Sequence, residues 1–309
     1  MIRIAVLIAF LAAASCGSGA STRFDTRILE SVVSVLPIWR GRRSGGDEPE
    51  ATAVAILRDG RLATNLHVVA RAVSLSVRLS DGRIIPAEII GRDTATDIAL
   101  LKIAEDLPVL PVRTDPRLGE PVCAVGNQFG LGLSVTCGVI SALQRTGTGF
   151  NPIEDFIQTD AALNPGSSGS ALVDSSGKLI GLVSAIFTKN SDANIGVNFA
   201  VSSRLLMRVV QDLDAFGQVR RGDPGLRVAV LPMAARATQA GVTVTARTPA
   251  GAAERAGIQI GDVITAIAGR VIRKPSDATT AFQLHRLGEP ITVTLFRDGR
   301  LLKVTMRLE

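Results

Sequence analysis

Residues 157–173 read IQTDAALNPGSSGSALV: two short apolar runs of strand character flank a loop, 164–170, made of Asn, Pro, Gly and Ser. Outward from that loop the pattern repeats. Between residues 51 and 200, short apolar runs recur roughly every 8 to 12 residues and are punctuated by the turn pairs Asp59-Gly60, Asp81-Gly82 and Ser176-Gly177. This spacing predicts an all-β barrel or sandwich. Ser202 then caps a run with apolar residues at helical spacing, LLMRVVQDLDAF, which Gly217 closes, so one domain is expected over 51–217. Residues 218–224, QVRRGDP, form a linker. Beyond them, 225–309 predict a compact α+β module, with strands near Val228 and at 242–246, 263–267, 291–296 and 301–308 and helices at 250–256 and 276–287.

Upstream, Arg3 precedes the unbroken apolar run 4–14, and small residues follow, which is the form of a secretory signal over residues 1–21. The run is too short for a spanning helix, which needs about 20 residues. The sequence Ala13-Ala14-Ser15-Cys16-Gly17 resembles a bacterial lipoprotein box with Ala where Leu is usual, so Cys16 is a candidate for lipidation, ordinary cleavage being the alternative. An N-terminal arm and loop, 22–50, comes next: 22–36 read as a short helix or extended arm, and a polar, Gly-rich stretch leads to residue 50. Either form of the signal places the mature chain outside the cytoplasm.

Composition narrows the function. With 46% hydrophobic and 20% charged residues the chain is globular and not disordered. The 34 basic and 28 acidic residues leave a mild +6 without a basic stripe, and there is no Tyr and one Trp, so no nucleic-acid footprint is present. The two histidines, His67 and His285, have no close Cys/His pairing of the zinc kind, so no metal is expected, and no cofactor. Cys123 and Cys137 lie in β-like runs around the glycine-rich turn 126–132. A hairpin would set them opposite one another, and an oxidising compartment favours a disulfide over the alternative of two buried thiols.

The chemistry rests on three segments: TNLHVV at 64–69, TDIALLKI at 96–103, and the opening stretch. A Ser hydroxyl attacks an amide only with a base in hydrogen-bond reach. Imidazole, which titrates near about 6.5 when free, suits that task, and a carboxylate fixes its tautomer. His67, Asp97 and a loop serine follow in the order of chymotrypsin-type enzymes. Such a site holds the oxyanion with the N–H of the nucleophile and the N–H two residues earlier. Ser167 is excluded because Pro165 has no N–H. For Ser170 the earlier residue is Ser168, whose Cβ crowds the approach. For Ser168 it is Gly166, which tolerates the unusual backbone angles required. Ser168 is the predicted nucleophile, with Gly166 and Ser168 as oxyanion donors. Asp97, against an apolar strand, is preferred to Asp93, in a polar turn.

These three segments, with VGNQFGLG (125–132), LIGLVSA (179–185) and VNFAVSS (197–203), resemble the HtrA/Deg family of trypsin-like serine proteases over roughly residue 31 to the C-terminus. The resemblance implies a mainly β fold, a chymotrypsin-like double β-barrel followed by a small α+β PDZ domain, the latter carried by AERAGIQIGDVI (253–264), Gly269 and 296–299. It implies an edge strand for substrate over 182–186, including Val183, Ser184 and Ala185, and an apolar side-chain pocket from Ala162, Leu163 and Asn198 that favours small aliphatic residues. Gly225, Leu226, Arg227 and Val228 are implied as the nest for a peptide C-terminus. Unfolded or exported proteins are the implied substrates, and a homotrimer built through Phe24 and Ile28 the implied assembly. The family usually has Asn at 167, Gly at 170 and Gly-Ser-Gly at 51–53, where this chain has Ser167, Ser170 and Ala51-Thr52-Ala53. The rival readings are a catalytically silent chaperone or peptide sensor, which an intact triad disfavours, and an α/β-hydrolase esterase, whose G-x-S-x-G elbow is broken by Ser170.

Overall fold

A computed structural model describes residues 25–39, 51–186 and 195–309. The signal, Cys16, Phe24 and most of the polar loop lie outside the described residues. A 3-10 turn, Thr26–Ser31, leads into β1 (Val32–Trp39). There follow β2 (Ala51–Leu57), β3 (Arg61–Asn65), the short helix α1 (Leu66–Val69), β4 (Ala72–Arg78), β5 (Ile84–Asp93) and β6 (Ile98–Ile103). These six strands close a barrel in the order β1-β2-β3-β6-β5-β4.

The first barrel therefore begins at Val32 and not at residue 51. Strand β1 escaped the periodicity reading because both of its faces are covered. Val33 and Val35 fill the barrel interior, while Val32 joins the core between barrels, so the polar alternation of a half-exposed strand is missing. Ile28 is likewise spent inside its own chain, buried against Gly177, and is not available to a second subunit.

A second barrel, ordered β10-β11-β12-β9-β8-β7, is built from β7 (Pro121–Asn127), β8 (Leu133–Arg145), β9 (Phe156–Thr159), β10 (Ala171–Asp174), β11 (Leu179–Ile186) and β12 (Asn198–Ser202). Strands β7 and β8 form the expected hairpin. Cys123 faces Cys137 in register, and the two are joined as a disulfide. Helix α2 (Ser203–Phe216) starts where the Ser202 hydroxyl accepts the Leu205 N–H and stops at left-handed Gly217. Its buried stripe, Leu205, Leu206, Val209, Val210 and Leu213, packs into the core shared by the two barrels.

The C-terminal module has its own core around Ile264, Phe282, Ile291 and Leu295. It comprises β13 (Leu226–Val230), α3 (Met233–Arg236), β14 (Val242–Arg247), α4 (Ala252–Arg255), β15 (Val263–Ile267), β16 (Arg270–Val271), α5 (Pro275–Gln283), β17 (Pro290–Arg297) and β18 (Arg300–Arg307). The sheet runs β13-β14-β15-β17-β18, leaving β13 at an edge. The module is seated on the barrels by side chains. Arg270 donates to Asp155 at 2.6 Å with both groups buried, Thr146 donates to Asp277 at 2.6 Å, and Arg221 of the linker makes two bonds to Asp93 at 2.9 and 2.6 Å.

Candidate active site

Strand register brings the first two residues together. Asn65 at the end of β3 pairs with Ile98 at the start of β6, so the residues just beyond them, His67 on α1 and Asp97 in the turn, sit side by side. Asp97 is in the left-handed region with φ 58°, and its carbonyl accepts the Leu66 N–H at 2.9 Å. Its Oδ1 accepts the His67 N–H at 2.8 Å, and its Oδ2 lies 2.6 Å from His67 Nδ1. A carboxylate only accepts, so the ring proton belongs on Nδ1 and Nε2 is left as an acceptor. Ser168 Oγ stands 3.2 Å from that Nε2. Asp93, the competing carboxylate, is taken up by Arg221 and Thr96.

The loop before Ser168 is shaped by Gly166, whose φ of 92° suits glycine, and by Gly169, where a Cβ would stand 1.9 Å from the Thr52 carbonyl. Ser167 donates its N–H to the Asn164 carbonyl, Gly169 to Val183, and Ser170 to Ser167. The N–H groups of Gly166 and Ser168 find no acceptor among the described residues. The Pro165 carbonyl accepts the Phe129 N–H at 2.8 Å, and across a planar peptide this turns the Gly166 N–H the opposite way. Ser167 and Ser170 are both buried, and the Ser170 hydroxyl donates to Thr52 Oγ1 at 3.3 Å.

Thr52 is a participant that the sequence showed only as a departure from the family pattern. Its N–H donates to the Ser168 carbonyl at 2.9 Å, its hydroxyl to the Gly166 carbonyl at 3.2 Å, and its carbonyl accepts from Thr64 at 2.7 Å. Strand β2 of the first barrel thus pins the serine loop of the second. The arrangement has a base, an orienting acid, a hydroxyl and two unspent donors, which is a set able to carry acyl transfer.

The expected substrate contacts are met unevenly. Ala162 is exposed beside the loop, but Leu163 is fully buried in the second barrel. Val183 is buried there too and offers only its backbone, already bonded to Gly169 and Ser170. Strand β11 is not an edge over 182–186. Ala171 of β10 pairs with Leu182, and among the described residues no strand pairs on that side from Ser184 to Ile186. Ser184 Oγ accepts from Asn65, Ala185 pairs through its backbone with Phe199, and Asn198 is buried with Nδ2 donating to the Ala161 carbonyl at 2.8 Å. In the module, the Gly225 N–H is taken by Asp223 Oδ1 at 2.8 Å in the turn before β13 and is unavailable to a carboxylate. Leu226, Arg227 and Val228 pair with β14 on one side and leave the other edge open.

Residues 51–182 match the trypsin-like peptidase domain family and residues 193–308 the PDZ domain family. A solved structure described as the HtrA-type protease AlgW with tripeptide is 36% identical, covers 91% of this chain and 94% of its own, and superposes with a TM-score of 0.71. The chain belongs to the HtrA/Deg family. Its HtrA/Deg relatives include the periplasmic serine endoprotease DegP of Escherichia coli, 36% identical over 284 residues, which are 87% of this chain and 60% of DegP. The periplasmic pH-dependent serine endoprotease DegQ of the same organism is 34% identical over 259 residues, 81% of this chain and 57% of DegQ. The chain thus spans about 60% of the length of these curated HtrA/Deg relatives.

Proposed function

We propose that this chain is an exported, ATP-independent serine endopeptidase that cleaves unfolded or exported proteins, with a PDZ domain that binds peptide or C-terminal segments. The observation that carries the reading is Ser168 Oγ at 3.2 Å from His67 Nε2 while Nδ1 faces Asp97 at 2.6 Å. In this mechanism Nε2 takes the hydroxyl proton as Oγ adds to the scissile carbonyl. The oxyanion forms against the Gly166 and Ser168 N–H groups, and the imidazolium, held by Asp97, returns the proton to the leaving amine. Water then enters by the same base and releases the acyl group. Substrate backbone pairs on the open side of residues 184–186, and the free edge of β13 takes an added peptide strand.

The relatives' periplasmic names and the signal-like start support export. A homotrimer built through the arm belongs to this reading, with Ile28 removed from the contact, and Cys16 is a candidate for lipidation with ordinary cleavage as the alternative. Purified protein should degrade unfolded casein and label with a fluorophosphonate at Ser168. Ser168→Ala should lower turnover by about 10⁴ or more. Equal cleavage by both proteins would remove Ser168 from the mechanism.

A further inference from the structure

We propose that Gln128 is a positioning residue that holds the oxyanion peptide in its working orientation, an inference that rests on the protease reading above. Gln128 follows β7 at the start of the hairpin turn and is buried. Both ends of its carboxamide are engaged. Oε1 accepts from Asn164 Nδ2 at 2.9 Å, and Nε2 donates to the Ala162 carbonyl at 3.3 Å and to Thr136 Oγ1 at 3.2 Å. The Thr136 hydroxyl itself donates to the Ala162 carbonyl at 2.7 Å. One side chain therefore grips both ends of 162–164, the segment that delivers Pro165 and Gly166.

The next residue shows why the grip matters. Phe129 donates the N–H that fixes the Pro165 carbonyl, and it does so from φ 56°, a left-handed angle that strains an L side chain. Phe129 is 53% exposed, so burial does not hold it there. Gly166, lacking a Cβ, resists rotation of the 165–166 peptide weakly. A flip of that peptide would turn the Pro165 carbonyl into the cleft and the Gly166 N–H out of it. What opposes the flip is the Phe129 bond, and what holds Phe129 against the loop is the Gln128 carboxamide. Only a group that both donates and accepts serves all three partners. Leu serves none, and a Glu carboxylate would keep Asn164 while opposing its own oxygen to the Ala162 carbonyl.

Loss of one oxyanion donor outright costs about 10²–10³ in kcat. If loosening leaves the working orientation populated at roughly 1–10%, kcat falls by about 10–100-fold while ground-state binding is kept. The test is steady-state kinetics on a peptide substrate for the whole chain and for Gln128→Leu, Gln128→Glu, Asn164→Ala and the double variant Gln128→Leu/Asn164→Ala. A peptide boronate, which places an oxyanion in the hole, and a non-covalent product peptide are titrated in parallel.

Expected are a kcat loss of about 10–100-fold in both Gln128 variants with KM within about threefold, and boronate affinity falling with kcat while product affinity holds. The double variant should be no worse than the poorer single, since both remove the same link. Unchanged kcat in Gln128→Leu overturns the proposal. So do additive losses in which KM, product affinity and melting temperature move together, because those belong to a merely structural residue. Wild-type protein that neither cleaves nor labels would instead reject the protease reading itself.

Discussion

Replacing Asp97 with Asn isolates the tautomer argument, since the two side chains have nearly the same shape. The backbone accepts the change, because φ 58° at this position is one that Asn adopts readily. The local hydrogen bonds then dictate which way the amide points. Oδ1 must keep accepting the His67 N–H at 2.8 Å, so the new NH2 group faces Nδ1, where Oδ2 stood at 2.6 Å. A donor facing Nδ1 forces the ring proton onto Nε2, the atom 3.2 Å from Ser168 Oγ, and an Nε2–H cannot take the hydroxyl proton. The same exchange in a serine protease of this mechanism costs about 10⁴ in kcat, which corresponds to roughly 5.5 kcal/mol of barrier at 1.36 kcal/mol per decade. The assay is initial-rate hydrolysis of a peptide anilide at neutral pH, with melting temperature as the check on folding. A folded Asp97→Asn variant retaining more than about a tenth of wild-type turnover would refute the reasoning.

Three further outcomes are expected. Reducing the Cys123–Cys137 bond, which closes a 14-residue separation, should lower stability by up to about 3 kcal/mol, read as a fall in melting temperature with reductant that a Cys123→Ser/Cys137→Ser variant does not show. Arg270→Met leaves the buried Asp155 carboxylate with only the Ser202 hydroxyl and should cost about 3–5 kcal/mol, splitting the calorimetric trace into separate barrel and PDZ transitions. A single transition at the wild-type midpoint would show that the pair does not couple the domains. Hydrogen bonds from the Arg113 guanidinium hold the Glu120 carboxylate below the usual carboxylate range, against an opposing push from burial. A lowered folded value means stability that is complete above the free Glu value near about 4.3 and is lost as pH falls through the folded one. The stability gap between wild type and Arg113→Gln should therefore narrow in acid, and a gap constant from about pH 7 to about pH 3 would contradict the pairing.

What could be read from the chain was what is local. His67, Asp97 and Ser168 each lie in a short segment whose neighbours suit the role proposed for them, and local backbone chemistry preferred one serine of three: Pro165 lacks the N–H that Ser167 would need, and the Cβ of Ser168 crowds Ser170. Ser202 and Gly217 marked their helix for the same reason, because caps act within a turn. Contacts that join distant positions left no such trace. Thr52 meets Gly166 across 114 positions and Arg270 meets Asp155 across 115, and nothing in the spacing of either announces the other. Leu163 faces the barrel core and Ala162 the solvent, and since both are apolar their identities alone do not say which one lines the cleft. Gln128 lies inside VGNQFGLG, a segment that points to the family without marking a role for this residue. Its role comes from where a hairpin delivers one carboxamide.

The division of the reactive groups between two barrels has a consequence for the chain before it is finished. The imidazole and its carboxylate come with the first barrel, the alcohol with the second, and residue 52 reaches across to fasten them. A molecule in which only the first half has folded holds an acid and a base with nothing to activate, and the lone second half holds an inert alcohol. The proposed capacity to cut therefore arises only when the two halves meet, and neither half alone holds a reactive set.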